Sequence, residues 1–401
     1  MAGSTIDHMV SVTLLVAVLL LSFGIYNQIL ASAIAYERSR QVAMKAVDLM
    51  DAICLSPGNP PDWGQSNCTP SSFGLQDPES AGYVLSPFSI MRLVSSGGDM
   101  AYYPKTGMWY SNVSMGEGGY LLTPIADCIN YTTAARLLGV NGSYGFQLSI
   151  MPTVTVYVSE VSADPLRFKV EVRGPGLAIG GATLNYYLYR AIENPEEDYP
   201  LIETFSGINQ TDSAGLAFLE FPAVDRSPCA YSIIVYAHLG GLAGVGYASY
   251  TSIENNHLIP FVESFEEGKV LLAHSWDLNT FPPPVSALHY NATFLLLTED
   301  FELRQIQLDD SSGLVNYGEG KPYRRVQIPT SEAGILLVSY RRGDEDEYGT
   351  VMIPWGISTL GVSVTFGGDP SGSEWVATEL RQVIVSEMPY QVKLAVWSLE
   401  D

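Results

Sequence analysis

Residues His8 to Tyr36 read HMVSVTLLVAVLLLSFGIYNQILASAIAY, 29 consecutive positions without a formal charge when His8 is neutral. Asp7 and Glu37 bound the run. As an α-helix it extends about 43 Å at 1.5 Å per residue, longer than the roughly 30 Å hydrocarbon core of a bilayer. Other long uncharged runs, such as 137–159 and 227–253, are interrupted by proline and several glycines, so none is as continuously apolar. The reading is a membrane-spanning helix over residues 8–36, and everything else follows from where that helix puts the rest of the chain.

On its C-terminal side the pattern becomes amphipathic. Val42, Ala46, Leu49, Met50 and Ile53 fall at helical spacing, with Arg38, Arg40, Gln41, Lys45, Asp48 and Asp51 on the other faces. The breaker run Ser56-Pro57-Gly58-Asn59-Pro60-Pro61 stops it. One continuous helix from about Thr5 to Ile53, about 70 Å long, is expected, with its outer half a stalk that packs on the body or on a neighbouring subunit. On the N-terminal side, MAGSTID has no Lys/Arg-rich region, and no A-x-A site follows the apolar run. The run is also too long for a signal-peptide core, so it is expected to stay as an anchor.

Sidedness draws on two opposed signals. Arg38, Arg40 and Lys45 flank the C-terminal end, which by the positive-inside rule puts the body in the cytoplasm. Against this, six of the 14 asparagines open an N-x-S/T sequon: Asn67, Asn112, Asn130, Asn141, Asn209 and Asn291. That excess points to a glycosylated exterior. One short N-terminal tail gives the charge rule little to compare, so the expectation is a single-pass protein at the cell membrane with most of the chain outside.

The net charge is −23, and only −1 of it falls in residues 1–53. A body this acidic repels phosphate backbones, which disfavours nucleic acid as a partner. Cys54, Cys68, Cys128 and Cys229 show no zinc-type spacing. In an exported chain their even number predicts two disulfides, and three pairings are open.

The length predicts two or three domains. Residues 1–53 are the transmembrane helix and amphipathic stalk. Residues 54–160 read as a mixed collar with the SPGNPPDWG loop, a Gly/Tyr-rich stretch at 97–120 and a short helix near 127–138. In that helix Asp127 is the expected cap and Gly139 the stop. From FQLSIMPTVTVYV (146–158) onward the chain alternates as strands do. Residues 164–250 predict a β-sandwich, with Phe168, Val170 and Val172 alternating against Lys169, Glu171 and Arg173, and further strands at 185–189, 216–221 and 231–236. Residues 255–401 read as a second β domain with strands at 292–297, 334–340, 350–353, 362–366 and 391–396. The fold class expected is mainly β, two sandwich-like domains on a transmembrane helical stalk.

Chemistry-bearing motifs are sparse. None of the five histidines sits in a metal-ligand spacing, and there is no nucleophile elbow, phosphate loop or dinucleotide fingerprint. No catalytic residue, cofactor or metal is expected. Asp344-Glu345-Asp346-Glu347 reads as a solvated hairpin tip, since calcium loops alternate ligands with spacers. Arg342-Gly343-Asp344 is too short a match to carry weight, and Asp309-Asp310 is a turn. Tyr186, Tyr187 and Tyr189 read as sheet packing. Tyr102, Tyr103, Trp109, Tyr110 and Tyr120 are expected mainly to pack in the collar, with contacts to sugars or partners as the other reading.

Two resemblances add to this. Gly3-Ser4-Thr5-Ile6-Asp7 ahead of the apolar run resembles the class III signal of archaeal type IV pilin-like proteins, and SPGNPPDW is similar to a loop that follows the helix in many of them. The likeness covers about residues 1–75. The basic residue those signals carry ahead of the glycine is missing here. The order of turns and strands in 164–250, including the T-D-x-x-G turn at 211–215, resembles Ig-like and carboxypeptidase-regulatory-like surface modules. Together they imply a membrane-anchored extracellular glycoprotein acting in filament or surface assembly or adhesion. Its partners would be other pilin-like subunits or copies of itself. The alternatives are a single-helix ectodomain subunit of a membrane transporter or enzyme complex and, less favoured, a surface hydrolase.

Overall fold

The structure is a computed structural model. It describes every residue except 1, 95–99, 104–106, 115–119, 196–198, 225–228, 252–257, 275–287, 309–322, 329–331, 343–347, 357–360, 362, 400 and 401. Helix α1 spans Ala2–Cys54. It holds no proline and closes just before Pro57, which lacks the amide N–H that a helix interior needs. Its last three and a half turns or so are docked: Val42, Ala46, Leu49, Met50, Ile53 and Cys54 are buried. These are the positions the helical spacing assigned to the apolar stripe, with Cys54 added.

The stripe rests on strands Val376–Val385 and Met388–Ser398. They belong to a four-stranded antiparallel sheet, the docking sheet, in the order 364–367, 144–152, 388–398, 376–385. Leu148 faces Leu394 and Ile150 faces Val392 across it. The sheet therefore joins a strand from the expected collar to the C-terminal strands, and the collar and second β domain form one body at this point.

The expected sandwich is present. One sheet runs Leu216–Phe221, Leu166–Gly174, Thr155–Ala163, with the short Leu177–Ala178 beside it. The other runs Leu242–Tyr250, Ala230–Leu239, Thr183–Ile192, Leu201–Gln210. Phe168, Val170 and Val172 meet Leu188, Ile233 and Val235 between them. Asp212 makes the turn at 212–215, its Oδ1 accepting from the Ala214 and Leu216 amides at 2.8 and 2.9 Å. Strand 242–250 escaped the sequence reading because glycine interrupts its pattern. A Cβ at Gly244 or Gly246 would come within 2.5 Å of Val154 O or 2.1 Å of Val156 O, so only glycine lets the two sheets close at this corner.

Strand 230–239 is buried on both faces. Ile233 and Val235 point into the sandwich core, and Ile234 and Tyr236 into the main core. The main core also takes in a third sheet, ordered 303–307, 288–297, 334–342, 348–355. Ser232 and Thr350 join hydroxyls at 2.9 Å between these layers. The remaining sheet has six strands, from Met100–Tyr103 through Met108–Ser114, Tyr120–Pro124, Leu258–Ser264 and Lys269–His274 to Tyr323–Gln327. Two short helices, α2, Pro87–Val94, and α3, Tyr131–Leu137, and a 3-10 turn at Ile125–Asp127 complete the described elements.

Burial of phenols makes the core sensitive to alkali. Desolvation pushes the Tyr340 hydroxyl up to about 12, and those of Tyr189, Tyr236 and Tyr390 well above the ordinary tyrosine value. Near pH 10 the unfolded chain releases these protons while the folded chain keeps them. Stability from this source is complete below pH 10 and is lost as pH rises toward 12 and beyond. Tyrosinate absorbance followed alongside circular dichroism is expected to show these four ionising only as the fold is lost. Complete titration by pH 11 with the circular dichroism unchanged would show that the phenols are accessible.

Candidate functional site: an unburied apolar helix on a docked base

From Met9 to Ile34 no residue of α1 is buried; Leu20 is 67 % exposed, whereas Ala46 in the docked half is 0 % exposed. Large apolar side chains cover the whole circumference: Leu14, Leu15, Leu20, Leu21, Phe23 and Ile29 among them. Apolar surface of this extent does not persist in water unpartnered. Three hydroxyls of the segment are satisfied internally. Ser11, Thr13 and Ser22 each donate a hydroxyl to the carbonyl four residues back at 2.8 Å. That is the way a hydroxyl is satisfied where no water is at hand. Charge resumes at the exit, where Arg40 lies 3.7 Å from Glu37. The helix is long and apolar enough to cross a membrane.

The base that holds α1 is built by the loop after it. Trp63 is fully buried, and its Nε1–H donates to the carbonyls of Pro57 and Gly74 at 2.9 and 3.0 Å. Behind it lies a residue that the sequence reading passed over. Arg92, from α2, is 1 % exposed. Its guanidinium donates to four backbone carbonyls: Trp63 and Ser66 from Nη1, Cys68 from Nη2, and Asp127 from Nε. The charge also lies 5.1 Å from the Trp63 ring centroid. Desolvation lowers the Arg92 pKa, and the nearby Asp127 carboxylate opposes that shift. One side chain thus joins the Trp63 loop, α2 and the 125–129 segment. The available sequence signal was an arginine inside the otherwise apolar run of PFSIMRLV.

The cap of the short helix is corrected. Asp127 ends a 3-10 turn at Ile125–Asp127, and Asn130 caps α3, its side chain accepting from the Thr133 amide at 2.9 Å. Gly139 follows with φ 67°, as the stop requires. Asn130→Ala is expected to cost about 1 kcal/mol in chemical denaturation. Asn130→Asp should keep the cap while deleting the glycan acceptor, and equal losses in both variants would reject the capping role.

The sequons divide by burial. Asn67, Asn130 and Asn141 are exposed. Asn209 is half-buried, and its Nδ2 donates to Phe218 O at 3.0 Å. The Asn112 side chain lies outside the described residues. Asn291 is corrected: it is 6 % exposed in mid-strand, with its Nδ2 donating to Pro200 O at 3.3 Å, and the folded chain leaves no room there for a sugar.

The two expected disulfides are not formed; all four cysteines are thiols. Cys54 lies in the main core beside Met50, where burial raises its pKa to about 12. Cys229 is buried beside Arg190, whose Nε lies 3.0 Å from its sulfur. The acidic run 344–347, the Arg342-Gly343-Asp344 tripeptide beyond Arg342, and Asp309-Asp310 lie outside the described residues, as does the Tyr120 side chain.

The collar aromatics alternate between faces. Tyr103 and Tyr110 pack edge-on to Phe261, whereas Tyr102 and Trp109 are 49 % and 54 % exposed, with rings 5.4 Å apart. Tyr186 packs on Phe221, and Tyr189 is buried. A cleft of about 370 Å³ beside the base is lined by Asp62, Asp77, Glu79, Glu332 and Glu387 among its polar groups. Among the described residues no group of three or more His, Cys, Asp or Glu is placed to hold a metal ion.

The fold and this site define a mainly β protein carried on one long N-terminal helix. No protein-family model matches the chain, and no curated protein matches it by sequence.

Proposed function

We propose that the chain is a single-pass, membrane-anchored surface glycoprotein of the pilin-like class. Its N-terminal helix sits in the bilayer and packs with other such helices, and its β sheets are displayed outside for surface assembly or adhesion. One observation carries this reading: the same helix is bare from Met9 to Ile34 and docked from Val42 to Cys54. The bare part presents apolar side chains on all faces, so it suits lipid and neighbouring helices together. The docked part couples it rigidly to the docking sheet. Exposed sequons at Asn67, Asn130 and Asn141 support the outward orientation.

Two measurements on the native producing cells test the reading. Glycopeptide mapping is expected to find sugar on at least one of Asn67, Asn130 and Asn141 and none on Asn291. A body without sugar that is protected from protease added to intact cells would place it inside. Shearing the cells is expected to release the protein in fibres or higher-order assemblies. Recovery only with polytopic partners at fixed stoichiometry would replace this reading with that of an ectodomain subunit.

A further inference from the structure

Cys68 and the Asp127–Cys128 peptide are distant in sequence but are brought together at one buried guanidinium. Arg92 Nη2 donates to the Cys68 carbonyl at 2.8 Å, and Nε donates to the Asp127 carbonyl at 2.5 Å. These two nitrogens share one edge of a planar fork, so the accepting oxygens lie side by side. The Asp127 carbonyl begins the peptide bond to Cys128. Standard bond lengths then hold the two Cα atoms within about 10 Å, and closer for parallel donors. The Ile129 amide donates to the Arg92 carbonyl at 3.1 Å and so fixes Cys128 from its other side. Both sulfurs also act electrostatically on the guanidinium.

Their surroundings suit exchange. Cys68 is exposed on the loop and Cys128 is half-buried. The Cys68 sulfur lies 2.9 Å from Ser66 Oγ and the Cys128 sulfur 3.1 Å from Pro124 O, and thiol hydrogen bonds of this kind are weak. A disulfide needs Cα atoms about 4.4–6.8 Å apart. Asn67, Cys68 and Thr69 are all exposed, so the adjustment falls on that loop and not on the core.

We propose that Cys68 and Cys128 are a redox pair whose disulfide locks the Trp63 loop to the segment ahead of α3. The oxidant is a small-molecule or protein disulfide. The Cys68 thiolate attacks one of its sulfurs, forming a mixed disulfide and expelling one thiolate. The Cys128 thiolate then attacks Cys68 Sγ, closing the S–S bond and expelling the second. Two protein thiols lose two protons and two electrons, and the oxidant is reduced to two thiols. Cys54 and Cys229, buried elsewhere, stay out of the exchange. The inference stands independently of the membrane reading.

The test uses the full chain in detergent micelles, reduced, then incubated with oxidised glutathione at pH 8. After quenching with an alkylating agent it is digested and mapped without reduction. The expected result is one dominant cross-link joining the Cys68 and Cys128 peptides. The thiol count should fall from the four of the reduced chain to two. The oxidised form should unfold at higher temperature, and reductant should reverse the shift. Alkylation of both cysteines, separate glutathione adducts on each, or a cross-link to Cys54 or Cys229 would overturn the proposal. All of these are read on the unaltered chain, so no variant has to fold.

Discussion

Deleting residues 1–36 is expected to move the protein almost completely from the membrane pellet to the soluble fraction, with its β fold unchanged. Among the described residues of the deleted part none is buried against the body, and burial on α1 begins at Val42. The docked residues Val42 to Cys54 stay, so the docking sheet keeps its cover. Each Leu, Ile, Val or Phe near the middle of a spanning helix gains about 0.3–0.6 kcal/mol in the bilayer. Summed over the bare segment, that gain holds the intact chain in the membrane against any realistic dilution. Leu20→Arg, costing about 2.5–3.5 kcal/mol at the bilayer centre, should weaken insertion without abolishing it. High-speed centrifugation and circular dichroism of the three forms make the comparison. A full-length chain that stays monomeric in detergent-free buffer would sink the anchor.

The second large effect is expected at Arg92. Arg92→Met keeps most of the side-chain volume but takes the donor away from four buried or half-buried carbonyls, those of Trp63, Ser66, Cys68 and Asp127. A buried polar group that loses its partner costs about 1–3 kcal/mol. Water will reach some of these carbonyls at the exposed end of the loop, so a net loss of about 3–5 kcal/mol is expected. Arg92→Lys keeps the charge but has no planar fork, and should recover only a minor part. Chemical denaturation followed by near-ultraviolet circular dichroism reads the loss. A change below about 1 kcal/mol in the methionine variant would mean that the cage is incidental to stability.

How much of this was readable beforehand differs from place to place. The docked stripe of α1 was legible because helical periodicity is a local property, and the stripe simply repeats every three to four residues. The sandwich strands at 166–174 and 216–221 were legible for the same reason at period two. Strand 230–239 was recognised as a strand, but its continuous apolar run SIIVYA could not say that it serves two cores. Asn291 shows the reverse case. Its N-A-T sequence is a valid acceptor, and only its position in the middle of a strand, beneath Pro200, removes it. The Asn130 cap was missed because Asp127 offered an equally good cap one turn earlier. The 3-10 turn at 125–127 decided between them.

By itself the sequence determined the long helix, the point at which its surface changes from wholly apolar to amphipathic, the mainly β character of the rest, and the turn at 212–215. Each is set by neighbours within a few residues, through periodicity, backbone allowance or side-chain hydrogen bonding. The tertiary structure alone decided that 144–152 lies beside 388–398, that one sheet is shared by two cores, and that Arg92 brings Cys68 and Asp127 to the same fork. Such partners lie tens to hundreds of residues apart. Their pairing is chosen by which assembly buries the most apolar surface with its polar groups satisfied, and no single residue's own preference encodes that choice.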